Sequence, residues 1–109
     1  MVVVMVKEEC EKVFEELRDL LVRLDLLRMD LLEMSEKLYG TALRPHEFME
    51  RVYRDMARGL LEVRDNNLCL GRRCISLPEF IDKMRDYRKM LADRRKLLDN
   101  LIGACKYEV

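Results

Sequence analysis

The chain has 109 residues, of which 39% are charged, and its 21 basic residues balance its 21 acidic ones. This length fits one domain, and the zero net charge excludes a strongly basic nucleic-acid binder or a polyacidic tail as the overall design. Half of the residues are apolar, which argues against disorder, and no apolar run approaches the roughly 20 residues that span a bilayer. We therefore expect one cytoplasmic, intracellular domain over residues 1–109, with no membrane segment.

The first predicted element is a long helix over residues 7–39. Its apolar residues alternate gaps of three and four, which is the spacing of a heptad seam. The seam consists of Cys10, Val13, Leu17, Leu20, Leu24, Leu27, Leu31, Met34 and Leu38. Gly40 follows at the position where a helix commonly stops in the left-handed conformation. Residues 2–4 are valines, which we expect to extend the helix or to form an arm.

Helix 1 carries more apolar residues than one seam requires. The additional residues on its side and back are Val22, Leu26, Met29 and Leu32. A helix that is apolar nearly all round is expected to be buried all round. These four residues are therefore a candidate self-association patch. The favoured interpretation is that a second copy of the chain buries them in a two-fold homodimer. The alternative is that helices 2 and 3 cover the patch within one chain.

Two further helices are predicted, over residues 45–65 and 77–105. Pro45 suits the first turn of helix 2, and the Asp65-Asn66-Asn67 run is expected to end it. Ser76 and Glu79 have the spacing of a capping box before helix 3. Helix 3 carries a second heptad seam that only Arg94 interrupts. Its members are Leu77, Phe80, Met84, Tyr87, Leu91, Arg94, Leu98, Leu101 and Cys105. Short connections favour antiparallel neighbours. The predicted fold is all-α, an antiparallel up-down-up three-helix bundle with two long heptad-patterned helices, expected to be oligomeric.

The balanced charge separates along the chain, because residues 1–40 carry net −4 and residues 71–109 carry net +4. Four basic residues of helix 3 recur at helical spacing and form a candidate basic stripe: Arg88, Lys89, Arg95 and Lys96. Such a stripe can follow a phosphate backbone. The favoured alternative is that acidic helix 1 neutralises it within the bundle or across a dimer.

Arg94 is a candidate polar core position, because a charged group within an apolar seam can fix register or oligomeric state. Tyr87 lies one heptad earlier and could add its hydroxyl to the same polar layer.

Four cysteines suggest redox or metal chemistry. Cys69 and Cys74 lie in the connection before helix 3 and are a candidate disulfide, as occurs inside hyperthermophiles. A zinc site that also uses Cys10 would lack a fourth ligand, and free thiols remain open, with Cys10 and Cys105 expected as small buried hydrophobes. The absence of Gln and the scarcity of Asn are typical of proteins from hot environments, and predict a thermophilic archaeon or its virus as the source.

One carboxylate pattern suggests catalysis. Glu33-x-x-Glu36 followed by Glu62-x-x-Asp65 resembles the metal-binding signature of the all-α, MazG-like nucleotide pyrophosphohydrolases. The resemblance covers these four positions and implies that the acids hold Mg²⁺ against a triphosphate. In the predicted hairpin, however, Glu62 lies about 15 Å along the axis from the level of Glu36.

The sequence therefore predicts a non-enzymatic helical scaffold or adaptor that acts through self-association and protein–protein interaction and needs no cofactor. A nucleic-acid-associated accessory factor that uses the basic stripe is the alternative. A MazG-like hydrolase is the third possibility.

Overall fold

The structure is a computed structural model that describes residues 2–105, with side chains described from residue 8 onward. It is mostly helical and also contains a small three-stranded sheet. The elements in chain order are α1 (Val2–Tyr39), α2 (Pro45–Ala57), β1 (Glu62–Arg64), β2 (Asn67–Leu70), β3 (Arg73–Ser76) and α3 (Leu77–Ala104). The chain divides into two compact units. The first unit combines the residues up to Asp25 with those from Arg88 onward, and the second unit is Leu26–Tyr87.

The all-α prediction is wrong at the end of helix 2. The helix ends at Ala57 rather than at residue 65, because Gly59 adopts a φ of +72°. The Gly59 N–H donates to the Met56 carbonyl at 3.1 Å, and the Leu60 N–H donates to the Asp55 carbonyl at 2.8 Å. This pair of bonds is a Schellman motif, which satisfies the last carbonyls of the helix and turns the chain away.

The residues that follow form an antiparallel sheet in the order β1-β2-β3. Asp65 and Asn66 have φ angles of 49° and 63°, so they form a two-residue type I′ hairpin turn rather than a helix end. Gly71, with a φ of +61°, opens the second hairpin turn. The register places Leu68 between Val63 and Ile75.

The direction of α3 also differs from the up-down-up prediction, in which α1 and α3 are parallel. In the second unit, Arg73 contacts Glu36 and Lys83 contacts Asp30, so the start of α3 runs antiparallel to the end of α1. In the first unit, a disulfide joins Cys10 to Cys105, and residues 16–23 of α1 face residues 93–100 of α3 across a groove. The sheet causes this reversal, because it returns the chain to the C-terminal end of α1 before α3 begins.

The core of the second unit brings α1, α2, the sheet and α3 together. Phe48 lies at its centre, fully buried, with its ring 5.2 Å from the ring of Phe80 in a near-perpendicular arrangement. Its other buried apolar residues are Leu27, Leu31, Met34, Leu38, Val52, Leu61, Leu68, Cys69, Ile75 and Met84. Since aromatic pairs favour this edge-to-face geometry, the two rings fix α2 against the start of α3.

The first unit has a smaller core. Its buried apolar residues are Leu17, Leu20 and Leu24, all on α1. On α3, Leu97 is partly buried and Leu98 is 42% exposed, whereas the predicted seam places Leu98 inward. The backbone of residues 2–4 is helical, and their side chains lie outside the described part of the chain.

Candidate interaction surfaces

The candidate self-association patch contains some of the most exposed apolar residues of the described chain. In the second unit, Leu26 is 59% exposed and Met29 is 56% exposed, while Leu32 is half-buried. In the first unit, Val22 is 56% exposed. The alternative that the other helices cover these residues is therefore not seen for Val22, Leu26 or Met29.

The basic stripe is also open. Lys89, Arg95 and Lys96 are exposed, and no acidic group among residues 8–105 lies within ion-pair distance of any of the three. Arg88 is exposed as well and does interact with another group. The predicted neutralisation by helix 1 is thus not formed at these three cations within the described chain.

Arg94 and Tyr87 are both partly buried, as expected of residues on the inner side of α3. They belong to different units, Tyr87 to the second and Arg94 to the first. Arg94 makes no ion pair with a described carboxylate. A polar layer built around Arg94 therefore stays a prediction.

All four cysteines are in disulfides. Cys69 and Cys74, the candidate pair, are linked across the β2–β3 hairpin with their Cα atoms 4.1 Å apart. The expectation that Cys10 and Cys105 are free hydrophobes is wrong, because they form a second disulfide with a Cα–Cα distance of 5.1 Å. The predicted bundle placed them at opposite ends, and only the reversed direction of α3 brings them together.

The carboxylates that resemble the MazG-like signature are not gathered into a site. Among the described residues, no three His, Cys, Asp or Glu side chains are close enough to hold a metal ion. Glu62 instead pairs with Arg64 of the same strand, at 3.8 Å between Oε2 and Nε. Asp65 lies in the hairpin turn.

Two polar networks lie in the second unit near the α1–α2 connection. Buried Ser35 donates its hydroxyl to the Thr41 carbonyl at 2.7 Å and accepts the Leu43 N–H at 2.8 Å. Its side chain therefore holds the connection against α1.

The second network joins α1 to α2. The Tyr39 hydroxyl donates to Asp55 Oδ2 at 2.8 Å, and the Arg51 guanidinium lies 4.2 Å above the Tyr39 ring. Burial raises the pKa of Tyr39 above its ordinary value, and the hydrogen bond to Asp55 and the charge of Asp55 raise it further. These contacts hold α2 against the end of α1.

One contact that sequence reasoning missed ties the sheet to α1. The Arg73 guanidinium donates from Nη1 to the Glu36 carbonyl at 3.3 Å. A cation at this point is favourable, because the last carbonyls of a helix carry partial negative charge. No local pattern indicates it, since 37 residues separate the two partners.

No protein family, curated protein or solved structure matches this chain. Among the described residues, no helix has both the length and the apolar character needed to cross a bilayer. Function is therefore inferred from the open apolar and basic surfaces themselves.

Proposed function

We propose that the protein is a non-enzymatic helical scaffold that self-associates through α1 and thereby presents its other elements to protein partners. The observation that carries this proposal is the exposure of Leu26 and Met29. They are three residues apart on one helix, so their side chains lie on the same side of it. Exposed apolar side chains that are grouped on one face mark interaction sites more often than scattered ones do.

A second copy of the chain is the occupant we propose. In a two-fold arrangement both partners use the same face, so the apolar side chains of one copy contact the apolar side chains of the other. No second complementary surface is needed. Both copies then bury their Leu26 and Met29. Complete burial of a Leu or Met side chain contributes roughly 1.5–3 kcal/mol, and dimerisation gains the part of this that corresponds to the fraction of each side chain still exposed.

The test is the mass of the particle in solution, measured by sedimentation equilibrium at low and high protein concentration. Leu26→Glu and Met29→Glu are expected to shift the protein towards the monomer. Ile81→Glu is the matched control, because Ile81 is an apolar residue of comparable exposure (45%) on α3, and it should associate as the parent does. A parent chain that is monomeric throughout, or equal loss in the control, contradicts the proposal.

A second function is favoured by a separate observation, that Lys89, Arg95 and Lys96 of the basic stripe make no ion pair with any described carboxylate. We propose as the alternative that Lys89, Arg95 and Lys96 bind the phosphates of a nucleic acid. Three phosphate contacts predict that the logarithm of the affinity falls with the logarithm of salt with a slope of about −2.7 for duplex DNA. The stripe contains no aromatic residue, so contact with phosphates rather than base stacking is expected.

Fluorescence anisotropy of labelled duplex and single-stranded DNA tests this alternative. Lys89→Glu and Lys96→Glu should each abolish binding at low salt. Lys12→Glu is the control, since it reverses an exposed charge on α1 of the same unit and should leave binding nearly intact. Absence of binding at low salt by the parent protein removes this function.

We also propose a thermophilic, intracellular setting. The absence of Gln supports the thermophilic part, and the two disulfides are consistent with an intracellular location only in such an organism. The expected result is a melting temperature above about 90 °C that reductant lowers. A melting temperature in the ordinary mesophilic range contradicts this setting.

A further inference from the structure

Strand β1 is an open edge of the sheet. It lies at one end of the order β1-β2-β3, and all three of its residues are exposed. The two-residue turn makes Arg64 and Asn67 the first hydrogen-bonded pair of the hairpin. The next pair, Val63 and Leu68, is therefore a non-hydrogen-bonded pair, so the N–H and C=O of Val63 point away from β2. Both groups are available to another strand.

An apolar row crosses the sheet and ends at this edge. Ile75 is paired with Leu68, and Leu68 with Val63, so the three side chains stand side by side on one face. Leu68 is fully buried and Ile75 nearly so, whereas Val63 is 54% exposed. Val63 therefore ends the row, because no further strand of the described chain lies on the outer side of β1.

The charges on either side of Val63 are opposite. Glu62 precedes it and Arg64 follows it, both on the other face of the strand. If a second β1 strand pairs antiparallel about Val63, each Glu62 lies opposite Arg64 of the second copy. An edge with the sequence Glu-Val-Arg is thus complementary to itself.

From these three features we propose that two copies of the chain pair β1 to β1, antiparallel and centred on Val63, and form one six-stranded sheet. The two Val63 residues exchange both of their outward hydrogen bonds and continue the apolar row from one copy into the other. The two flanking Glu62–Arg64 pairs are non-hydrogen-bonded, the arrangement in which opposed side chains approach most closely. Cross-strand pairs of opposite charge stabilise a sheet, and like charges destabilise it.

The contacts that Glu62 and Arg64 make within one copy do not oppose the pairing of two copies. Arg64 donates to the Gly71 carbonyl and lies 3.8 Å from Glu62 of its own strand, and both side chains are more than half exposed. Exchange of one exposed ion pair for another changes little free energy by itself. The other edge strand offers no equivalent, because antiparallel pairing of β3 about its centre would set Arg73 opposite Ser76.

The pairing is independent of the α1 contact proposed above and extends it. Two different two-fold contacts on one molecule generate an assembly larger than a dimer, either a closed tetramer or an open chain of copies. The β1 contact must therefore be tested where the α1 contact is removed, so the experiment uses full-length protein with Leu26→Glu as background.

Charge reversal provides the decisive series. Glu62→Arg alone and Arg64→Glu alone each place like charges opposite one another and should weaken association about tenfold or more. The double change, Glu62→Arg with Arg64→Glu, restores complementarity and should restore association. Sedimentation equilibrium in the Leu26→Glu background measures all four proteins.

A backbone variant tests the hydrogen bonds. Val63→Pro removes only an N–H that does not face β2, so the β1–β2 hairpin should stay intact while pairing between copies is lost. Proline is tolerated on edge strands for this reason. Val63→Thr keeps the N–H and should still pair. In the background protein, exchange of the Val63 amide should slow as protein concentration rises, as followed by NMR.

Two results overturn the pairing: a background protein that is monomeric at high concentration, or single charge reversals that associate as strongly as the double. Failure of the α1 proposal has a different signature. In that case Leu26→Glu leaves the mass of the parent particle unchanged, while the charge reversals still reduce it.

Discussion

The guanidinium of Arg73 packs directly against Gly40 at the end of α1. A Cβ on Gly40 would lie 2.9 Å from Arg73 Nη1, the same nitrogen that donates to the Glu36 carbonyl. Gly40 also has a φ of +75°, which residues with a Cβ rarely adopt. The residue thus serves two purposes, to stop the helix and to admit the arginine that attaches the sheet to it.

Gly40→Ala should destabilise the protein slightly more than Gly59→Ala, because the Arg73 guanidinium, the end of a flexible side chain, must move and give up its hydrogen bond to the Glu36 carbonyl. Both residues have positive φ, which costs about 1–2 kcal/mol with a Cβ, but the Cβ at Gly59 meets nothing within 4 Å. The difference between the two variants measures displacement of Arg73 and should vanish in an Arg73→Ala background. Denaturant unfolding monitored by circular dichroism provides both values, and an undiminished difference in that background contradicts the role of Arg73.

Ser35→Ala should cost about 1–3 kcal/mol of unfolding free energy, because it leaves a buried N–H and a carbonyl of the α1–α2 connection without their partner. Ser76→Ala is the comparison. Ser76 accepts the Glu79 N–H as the cap of α3, and loss of an N-cap costs typically about 1 kcal/mol. Denaturant unfolding measures both. Equal losses of unfolding free energy in the two variants would mean that water molecules take over the hydrogen bonds of the Ser35 hydroxyl.

The burial of Tyr39 and its hydrogen bond to Asp55 together predict a decline of stability in alkali. The folded pKa of Tyr39 is raised above the unfolded value of about 10. Above that pH the unfolded chain releases a proton that the folded chain retains, so stability is present below it and is lost as pH rises. The slope is at most about 1.4 kcal/mol per pH unit, and less here because Tyr39 is partly exposed and screened by solvent.

Tyr39→Phe should remove this component of the alkaline decline, at the cost of the hydrogen bond. Tyr53→Phe removes a more exposed phenol (52%) and is expected to retain the decline. The measurement is the free energy of unfolding from neutral pH to pH values above the tyrosine range. An unchanged slope in Tyr39→Phe contradicts the assignment.

The two disulfides should differ in their effect on stability. Chain entropy predicts about 4.7 kcal/mol for the Cys10–Cys105 bridge and about 2 kcal/mol for the Cys69–Cys74 bridge, because the closed loops differ so greatly in length. Serine replacement of Cys10 and Cys105 should also accelerate amide exchange in the first unit, whose core is the smaller. Replacement of Cys69 and Cys74 should leave exchange there unchanged. The reverse order of effects would contradict this account.

Local patterns predicted much of the helical structure. The apolar periodicity of α1 identified residues that are buried from Leu17 to Leu38, and Ser76 and Pro45 marked the starts of α3 and α2. These signals depend on neighbours within one or two turns, which is why the sequence alone reveals them.

The sheet was missed because its signals are short and ambiguous. A single glycine such as Gly59 does not by itself indicate a helix stop, and Asp65-Asn66 fits either a helix end or a hairpin turn. Without the sheet, the predicted direction of α3 is also wrong. The prediction therefore places Cys10 and Cys105 at opposite ends, although they are bonded to each other. The Arg73 contact and the open edge at Val63 depend on the same tertiary arrangement, so no local pattern could have shown them.

The Cys10–Cys105 bridge has a consequence beyond the folded state. It joins residues 95 positions apart, so in the oxidised polypeptide the segment from Cys10 to Cys105 is a covalent ring. An unfolded ring cannot extend as a linear chain does, and its hydrodynamic radius in denaturant stays well below that of the reduced form. Force applied to the chain on either side of this ring is likewise carried by the sulfur–sulfur bond, so the segment between the two cysteines bears little of the tension until a reductant cuts that bond.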